Sequence, residues 1–121
     1  MAPTIQREPG GVFRLDITGL LRKAELDDAQ AQLLREMRDH GDGAARLLVV
    51  LHAFEGWEPG ANWSDLGFYV RHGDALARIA IVGDERWRDH ALMFAAADLR
   101  KGPVEYFESN RLDDARRWLS L

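Results

Sequence analysis

The chain has 121 residues, of which 46% are hydrophobic and 30% charged, and its formal net charge is −4. These values are typical of one soluble globular domain, spanning 1–121, that is long enough to bury a core. There is no cysteine, which excludes disulfides, thiolate zinc sites and cysteine nucleophiles.

The distribution of charge and hydropathy along the chain argues against further classes of protein. Basic and acidic residues are mixed in both halves, so the concentrated positive face that nucleic-acid binding requires is not expected. No stretch of about 18 apolar residues occurs, and Arg7, Glu8 and Arg14 interrupt the region where a signal peptide has its apolar core. We therefore expect a cytoplasmic protein without a transmembrane segment.

Short apolar strands alternate with amphipathic helices along the chain. Phe13, Leu15 and Ile17 alternate with polar residues, as in a strand with one solvated face. The run 46–51 is aliphatic at both parities, which indicates a strand buried on both faces. The predicted elements are strands 5–8 and 12–18, a helix over 24–40, strand 46–51, a helix over 62–76, strand 79–82, a helix capped by Asp84, strand 104–107, and a helix starting at Ser109-Asn110.

This order, β-β-α-β-α-β-α-β-α, predicts the α/β class. Right-handed crossovers imply a mostly parallel sheet of about five strands, with an antiparallel hairpin at one edge and about four helices. In the last helix, Leu112, Ala115 and Leu119 are predicted to face inward, with Trp118 beside them.

Five segments, taken in order, resemble the SpoIIAA-like family, and together they span nearly the whole chain. They are Leu51–Trp57, Trp63 with Arg71-His72, Arg78–Asp84 with Trp87, Val104–Phe107, and Ala115–Leu119. Members of that family resemble STAS domains and, in topology, small CRAL-TRIO lipid-binding domains. The resemblance implies a STAS-like fold and a non-catalytic binding or regulatory module.

One segment departs from the pattern of STAS anti-sigma antagonists, which carry a phosphorylatable serine after the strand that matches 46–51. Here the corresponding stretch, 54–60, holds neither serine nor threonine. Ser64 is the nearest hydroxyl, and the neighbouring Asp65 would repel a phosphate there. We therefore do not expect the antagonist-type phosphoserine switch.

The stretch 54–69 is the most informative for function because it concentrates aromatic side chains after a buried strand. In α/β sheets, ligands bind beyond the carboxyl ends of the parallel strands. Trp57 lies between Gly56 and Pro59-Gly60, in an expected loop able to move as a lid. The predicted ligand-binding residues are His52, Phe54, Trp57, Trp63, Phe68 and Tyr69. Packing of these aromatics in the core is the competing interpretation.

Catalytic and metal-binding patterns are weak. None of the four histidines pairs with another at the spacing of a metal motif, and no Gly-x-Ser-x-Gly elbow is present. The acidic pairs Asp27-Asp28, Asp84-Glu85 and Asp113-Asp114 lie in predicted first turns, where capping and the helix dipole account for them. We predict no enzyme activity, no catalytic residues, no metal and no cofactor.

Two functions remain open at this stage. The first is a STAS-like module that holds a small apolar or amphiphilic, lipid-like ligand, with His52 as a polar anchor. The second is a protein-interaction module or homodimer that uses the same aromatic surface.

Overall fold

The computed structural model describes residues 3–40, 45–61, 76–94 and 102–121. Its elements are β1 (Thr4–Glu8), β2 (Val12–Leu21), α1 (Lys23–His40), β3 (Ala45–Trp57), β4 (Leu76–Gly83), a 3-10 turn η1 (Glu85–Trp87), α2 (Arg88–Phe94), β5 (Val104–Glu108) and α3 (Leu112–Leu119). The α/β class is confirmed. The predicted helix 62–76 lies outside the described residues, except that Leu76 is the first residue of β4.

The five strands form one sheet in the order β1-β2-β3-β4-β5. β1 pairs antiparallel with β2, and the pairs from β2 to β5 are all parallel. This confirms the mostly parallel sheet with an antiparallel edge hairpin. Because neighbouring strands follow one another in sequence, right-handed crossovers place the connecting helices α1 and α2 on the same face.

The two faces of the sheet carry separate apolar clusters. The first holds Ala29 and Leu33 of α1 and Ala91 of α2, packed against alternate residues of the strands. The second holds Ala115 and Leu119 of α3, packed on the opposite face. The predicted inward positions of the last helix are thereby confirmed, with Leu112 and Trp118 partly buried beside them.

β3 is buried on both faces over its first half, as its double aliphatic pattern predicts. Leu47 and Val49 belong to the first cluster, whereas Leu48 and Val50 belong to the second. β3 lies between β2 and β4 in the middle of the sheet, so neither of its faces meets solvent there.

The expected loop after residue 51 is wrong, because β3 continues to Trp57. Thr18 pairs with His52, and Leu20 then pairs with Gly56, so three residues of β3 oppose the single residue Gly19. Beyond this bulge the side chains no longer follow the aliphatic pattern, which is why the sequence predicts an earlier end. The segment that carries Trp57 is a paired strand rather than a lid.

Two helix starts differ in detail from the prediction. Asp84 is a cap as expected, since its carboxylate accepts the backbone N–H of Arg86 at 3.0 Å, but it caps the 3-10 turn η1 before α2 begins. The predicted start of the last helix at Ser109-Asn110 is wrong. Those two residues form a turn closed by the Arg111 N–H and the Glu108 carbonyl, and α3 begins at Leu112.

We expect Leu119→Ala to lower the free energy of unfolding by about 2–5 kcal/mol, because Leu119 is fully buried where α3 meets the sheet. Leu121→Ala removes the same atoms from a side chain that is 77% exposed, and should change stability by less than about 0.5 kcal/mol. Urea unfolding of both variants measures the difference. Equal values for the two would contradict the placement of α3.

Candidate functional site

A cleft of about 580 Å³ lies at the carboxyl ends of the four parallel strands. β2 contributes Thr18, β3 contributes Leu51 and Phe54, and Asp84 and Ser109 directly follow β4 and β5. The four strand ends meet here because parallel neighbours finish at the same edge of a sheet. Both the position and the volume are typical of small-ligand sites in α/β proteins.

The β2–β3 bulge forms one wall of this cleft. Gly19 has φ +71°, and Ala53 has φ +46°, a left-handed conformation that is uncommon for a residue with a Cβ. Both residues line the cleft, together with Glu55 on the bulged part of β3. A bulge redirects side chains relative to the regular alternation of a strand, and here it turns Phe54 into the interior, where it is 5% exposed.

Three aromatic rings pack at the inner end of the cleft, and we call Phe54, Trp57 and Trp87 the aromatic cluster. The ring centroids of Phe54 lie 4.9 Å from Trp57 and 5.1 Å from Trp87, and the two tryptophans are 5.6 Å apart. All three pairs are edge-to-face, the arrangement that ring quadrupoles favour. The cluster joins β3 to the turn after β4.

Gly56 makes this junction possible. A Cβ at this position would lie 3.2 Å from Cη2 of Trp87, and the residue has φ +106°. Glycine therefore serves two needs, since it allows both the backbone conformation and the close approach of the indole ring.

A small apolar chamber of about 60 Å³ adjoins the cleft beneath the aromatic cluster. Leu51 and Phe54 line both spaces. The other described residues that line the chamber are also apolar and include Ile17, Val49 and Ala91. The cleft has mixed polarity, whereas the chamber is apolar.

The turn after β4 is held by a buried phenol. Tyr106 Oη donates a hydrogen bond of 2.6 Å to the carbonyl oxygen of Asp84. Burial, with the nearby charges of Asp84 and Glu85, raises the pKa of Tyr106 to about 12, so its hydroxyl remains a donor at physiological pH. The cleft residues that follow Asp84 are thereby fixed to β5.

Arg86 supplies hydrogen-bond donors at this end of the site, beside the indole of Trp87. Nε1 of Trp87 is buried, and no acceptor within the described ranges pairs with it. The guanidinium of Arg86 lies 4.9 Å from the centre of the Trp87 ring. Among the described side chains that line the cleft, Arg86 is the cationic one.

The structure separates the sequence-predicted site residues. Phe54 and Trp57 come together as expected, but as members of a packed cluster. Trp63, Phe68 and Tyr69 lie outside the described residues. Trp87, Arg86 and Asp84 were missed as site residues, although the rule that ligands bind at strand ends also applies to the end of β4, where Gly83-Asp84 marks the junction.

His52 lies on the opposite face of the sheet from Leu51, and it is not among the residues that line the cleft. Its Nε2 is 2.7 Å from Oδ1 of Asp16, and Asp16 is also bonded by Arg14. Glu8 pairs in turn with Arg14 and with Arg116 of α3. These residues, from His52 to Arg116, form a charged series. The role of His52 as a ligand anchor stays a prediction, and the contact observed for His52 is with Asp16 of the neighbouring strand β2.

This charged series lowers two carboxyl pKa values. The hydrogen bond from Arg116 is the main cause for Glu8 and outweighs the opposing effect of burial. For Asp16, burial is the largest single effect and raises the pKa, but the hydrogen bonds from His52 and Arg14 and the charges of these two residues together exceed it, so the net shift of the pKa is downward. Both groups therefore favour the folded state when they are ionised.

Within the described ranges, no group of three or more His, Asp or Glu side chains is placed to hold a metal ion. In the same part of the chain, no helix is both long and apolar enough to cross a membrane.

We expect Gly56→Ala to destabilise the protein by about 1–3 kcal/mol more than Gly60→Ala. Both glycines have positive φ, but a Cβ at Gly60 meets nothing within 4 Å, whereas one at Gly56 meets Trp87. The difference between the two variants therefore measures the clash of the new Cβ with Trp87, separately from the cost of a positive φ in alanine. Urea unfolding followed by tryptophan fluorescence measures the free energy of unfolding of each variant. Equal losses of stability would show that the Trp87 ring moves aside at no cost.

We expect the stability of the protein to fall as the pH falls through the lowered folded-state pKa of Glu8. The ordinary value of this carboxyl is 4.5. The unfolded chain takes up its proton first, so the contribution of Glu8 is complete well above pH 4.5 and is lost below it. Glu8→Gln should flatten this acid limb of the unfolding free energy. If the acid limb were unchanged in Glu8→Gln, Glu8 would not be a cause of the loss of stability at acid pH.

The comparisons with known proteins agree with the architecture. Residues 12–120 match the family model described as SpoIIAA-like. Among solved structures, the chain is similar to an uncharacterized protein of the DUF3478 family with a SpoIIAA-like fold from Shewanella loihica PV-4. That pair shares 24% identity with a TM-score of 0.71, over 98% of this chain and 92% of the other.

A search among curated proteins finds no significant match. The family match covers most of the sequence, including every segment on which the resemblance was based. The chain therefore belongs to the SpoIIAA-like family.

Proposed function

We propose that this protein is a non-catalytic, STAS-like binding module that holds a small amphiphilic ligand at the carboxyl edge of its sheet. The observation that carries the proposal is the apolar chamber next to the mixed cleft, with Leu51 and Phe54 lining both. The polar end of the ligand occupies the cleft, and the end of its apolar part enters the chamber.

The two volumes limit the size of the ligand. A chamber of about 60 Å³ has room for the end of a chain only, since an engineered cavity that binds benzene is about 150 Å³. The cleft of about 580 Å³ accommodates the remainder. A ligand with one short unbranched chain fits these dimensions better than a two-chain lipid.

The side chains along the cleft support binding rather than catalysis. Its hydroxyl residues are Thr18 and Ser109, and no histidine is among its described lining residues. A nucleophilic hydroxyl needs an adjacent base. His52, the histidine among the predicted ligand-binding residues, is bonded to Asp16 on the opposite face.

The alternative, an interaction module or homodimer, stays a prediction. The described aromatic residues do not form a docking surface, because Phe54 is buried and the rings of Trp57 and Trp87 pack on it and on each other, as the core interpretation of these aromatics predicts. A docking surface would need these rings to be exposed.

We expect native mass spectrometry of the freshly purified protein to show a small excess mass that is lost on denaturation. Titration with 1-octanol, followed by calorimetry, should show binding to protein freed of this mass. Ala91→Leu fills the chamber and should weaken octanol binding at least tenfold, since about two buried methylenes are displaced. Ala31→Leu adds the same carbons at an exposed position of α1, outside the chamber, and serves as the control.

Equal octanol affinity in Ala91→Leu and Ala31→Leu would overturn the assignment of the chamber. A dimer without excess mass and without octanol binding would favour the interaction module instead.

A further inference from the structure

We infer that His52 is a positioning residue for the cleft, because its hydrogen bond to Asp16 holds the following residue, Ala53, in the cleft wall. This inference rests on the proposed function and assigns a role to a residue outside the lining of the site. The side chain of His52 lies on one face of the sheet and bonds to Asp16 there, whereas its chain neighbours Leu51 and Ala53 both line the cleft.

The bond joins β2 and β3 at the last regular residue pair before the bulge. Thr18 pairs with His52, and the next pair in the register is Leu20 with Gly56. Asp16 precedes Thr18 by two residues and therefore lies on the same face of β2, and its Oδ1 is 2.7 Å from Nε2 of His52. The side-chain bond thus ties the two strands together diagonally at the point where their register changes.

The bulge needs such support because Ala53 has an unfavourable backbone conformation. Its φ of +46° lies in the left-handed region, where a residue with a Cβ stays only when its surroundings hold it. On one side of Ala53, Phe54 is buried in the aromatic cluster. On the other side, the bond to Asp16 fixes His52. The two anchors flank Ala53 and restrict its backbone from both directions.

Asp16 is a well-placed acceptor because it is itself held in position. Nε and Nη2 of Arg14 both lie 3.0 Å from its Oδ1, and the lowered pKa of Asp16 keeps its carboxyl ionised at neutral pH. An ionised carboxylate only accepts hydrogen bonds, so Nε2 of His52 is the donor. A neutral imidazole can supply this donor, and the bond does not require a charge on His52.

The competing interpretation is an ordinary surface contact with no effect on the cleft. The side chain of His52 is 45% exposed, and exposed pairs contribute little to stability. The two interpretations differ in what happens to the backbone beside the pair. An ordinary contact leaves the opening of the bulge unchanged, whereas a positioning bond determines how often the bulge opens.

Amide hydrogen exchange measures this opening directly. We expect the protected amides within 53–58 to exchange about fivefold faster in His52→Leu, and within about twofold of the wild-type rate in His52→Gln. Glutamine can place a donor near the position of Nε2, whereas leucine has none. Gln6→Leu is the matched control, because Gln6 is exposed on the same face of the sheet and pairs with Arg14, away from the bulge.

Equal exchange rates in His52→Leu and Gln6→Leu would overturn the role of His52. In the wild type, the amides within 53–58 should also be less protected than the amide of Ile81, which is buried in β4, because the bulge opens by itself. Equal protection would show that the bulge opens only together with the sheet, and would overturn a local role for His52.

Ala53→Gly tests whether the opening involves the left-handed residue. Glycine adopts this conformation without a steric cost, so adding Ala53→Gly to His52→Leu should slow exchange within 53–58 by about threefold, back toward the wild-type rate. If the added Ala53→Gly left the exchange as fast as in His52→Leu alone, His52 would not act through Ala53.

The link to the ligand site has a separate readout. Adding 1-octanol to the wild type should slow exchange within 53–58, because a bound ligand stabilises the conformation that forms its site. If octanol binds without slowing this exchange, the bulge is not part of the binding site and the positioning role is refuted. If octanol does not bind at all, the proposed function fails, and a difference between His52→Leu and His52→Gln would then assign the bond to the stability of the bulge alone.

Discussion

The parallel pairing of β3 with β2 is the constraint on which the rest of the structure depends. β3 occupies the middle of the sheet and contributes apolar side chains to the clusters on both faces. Its register also determines where the bulge falls, opposite Gly19. A shift of one residue would exchange the two faces, and it would turn Phe54 away from the interior. The core and the cleft thus depend on the same set of backbone hydrogen bonds.

Much of the fold could be predicted from the sequence because hydrophobic periodicity is a local signal. The alternation in β2 and the double aliphatic run of β3 predict their burial correctly, and the inward side of α3 follows from the spacing of Leu112, Ala115 and Leu119. The second half of β3 could not be predicted in this way. Its pairing depends on a bulge with a left-handed Ala53, and alanine carries no sequence signal for that conformation.

Only part of the candidate site could be predicted, again because hydrophobic periodicity is a local signal. Phe54 and Trp57 are conspicuous because they follow a buried strand directly. Trp87 lies 30 residues further along and joins them only because β4 lies beside β3 and Gly56 leaves space for its ring. Contacts between distant segments are set by the order of strands in the sheet, which periodicity does not reveal. The same limit applies to His52, whose partner Asp16 is on the adjacent strand.

The sequential strand order also leaves the described sheet with two edges, β1 and β5. Unpaired backbone groups at such edges invite another chain to add a strand, and proteins resist this with short, charged edge strands and with proline. β1 has five residues, carries Arg7 and Glu8, and is flanked by Pro3 and Pro9. β5 is equally short and carries Glu105 and Glu108, so two copies meeting along β5 would bring like charges together. Self-association by sheet extension is therefore disfavoured at both edges, and aggregation resistance is built into the same topology that creates the cleft.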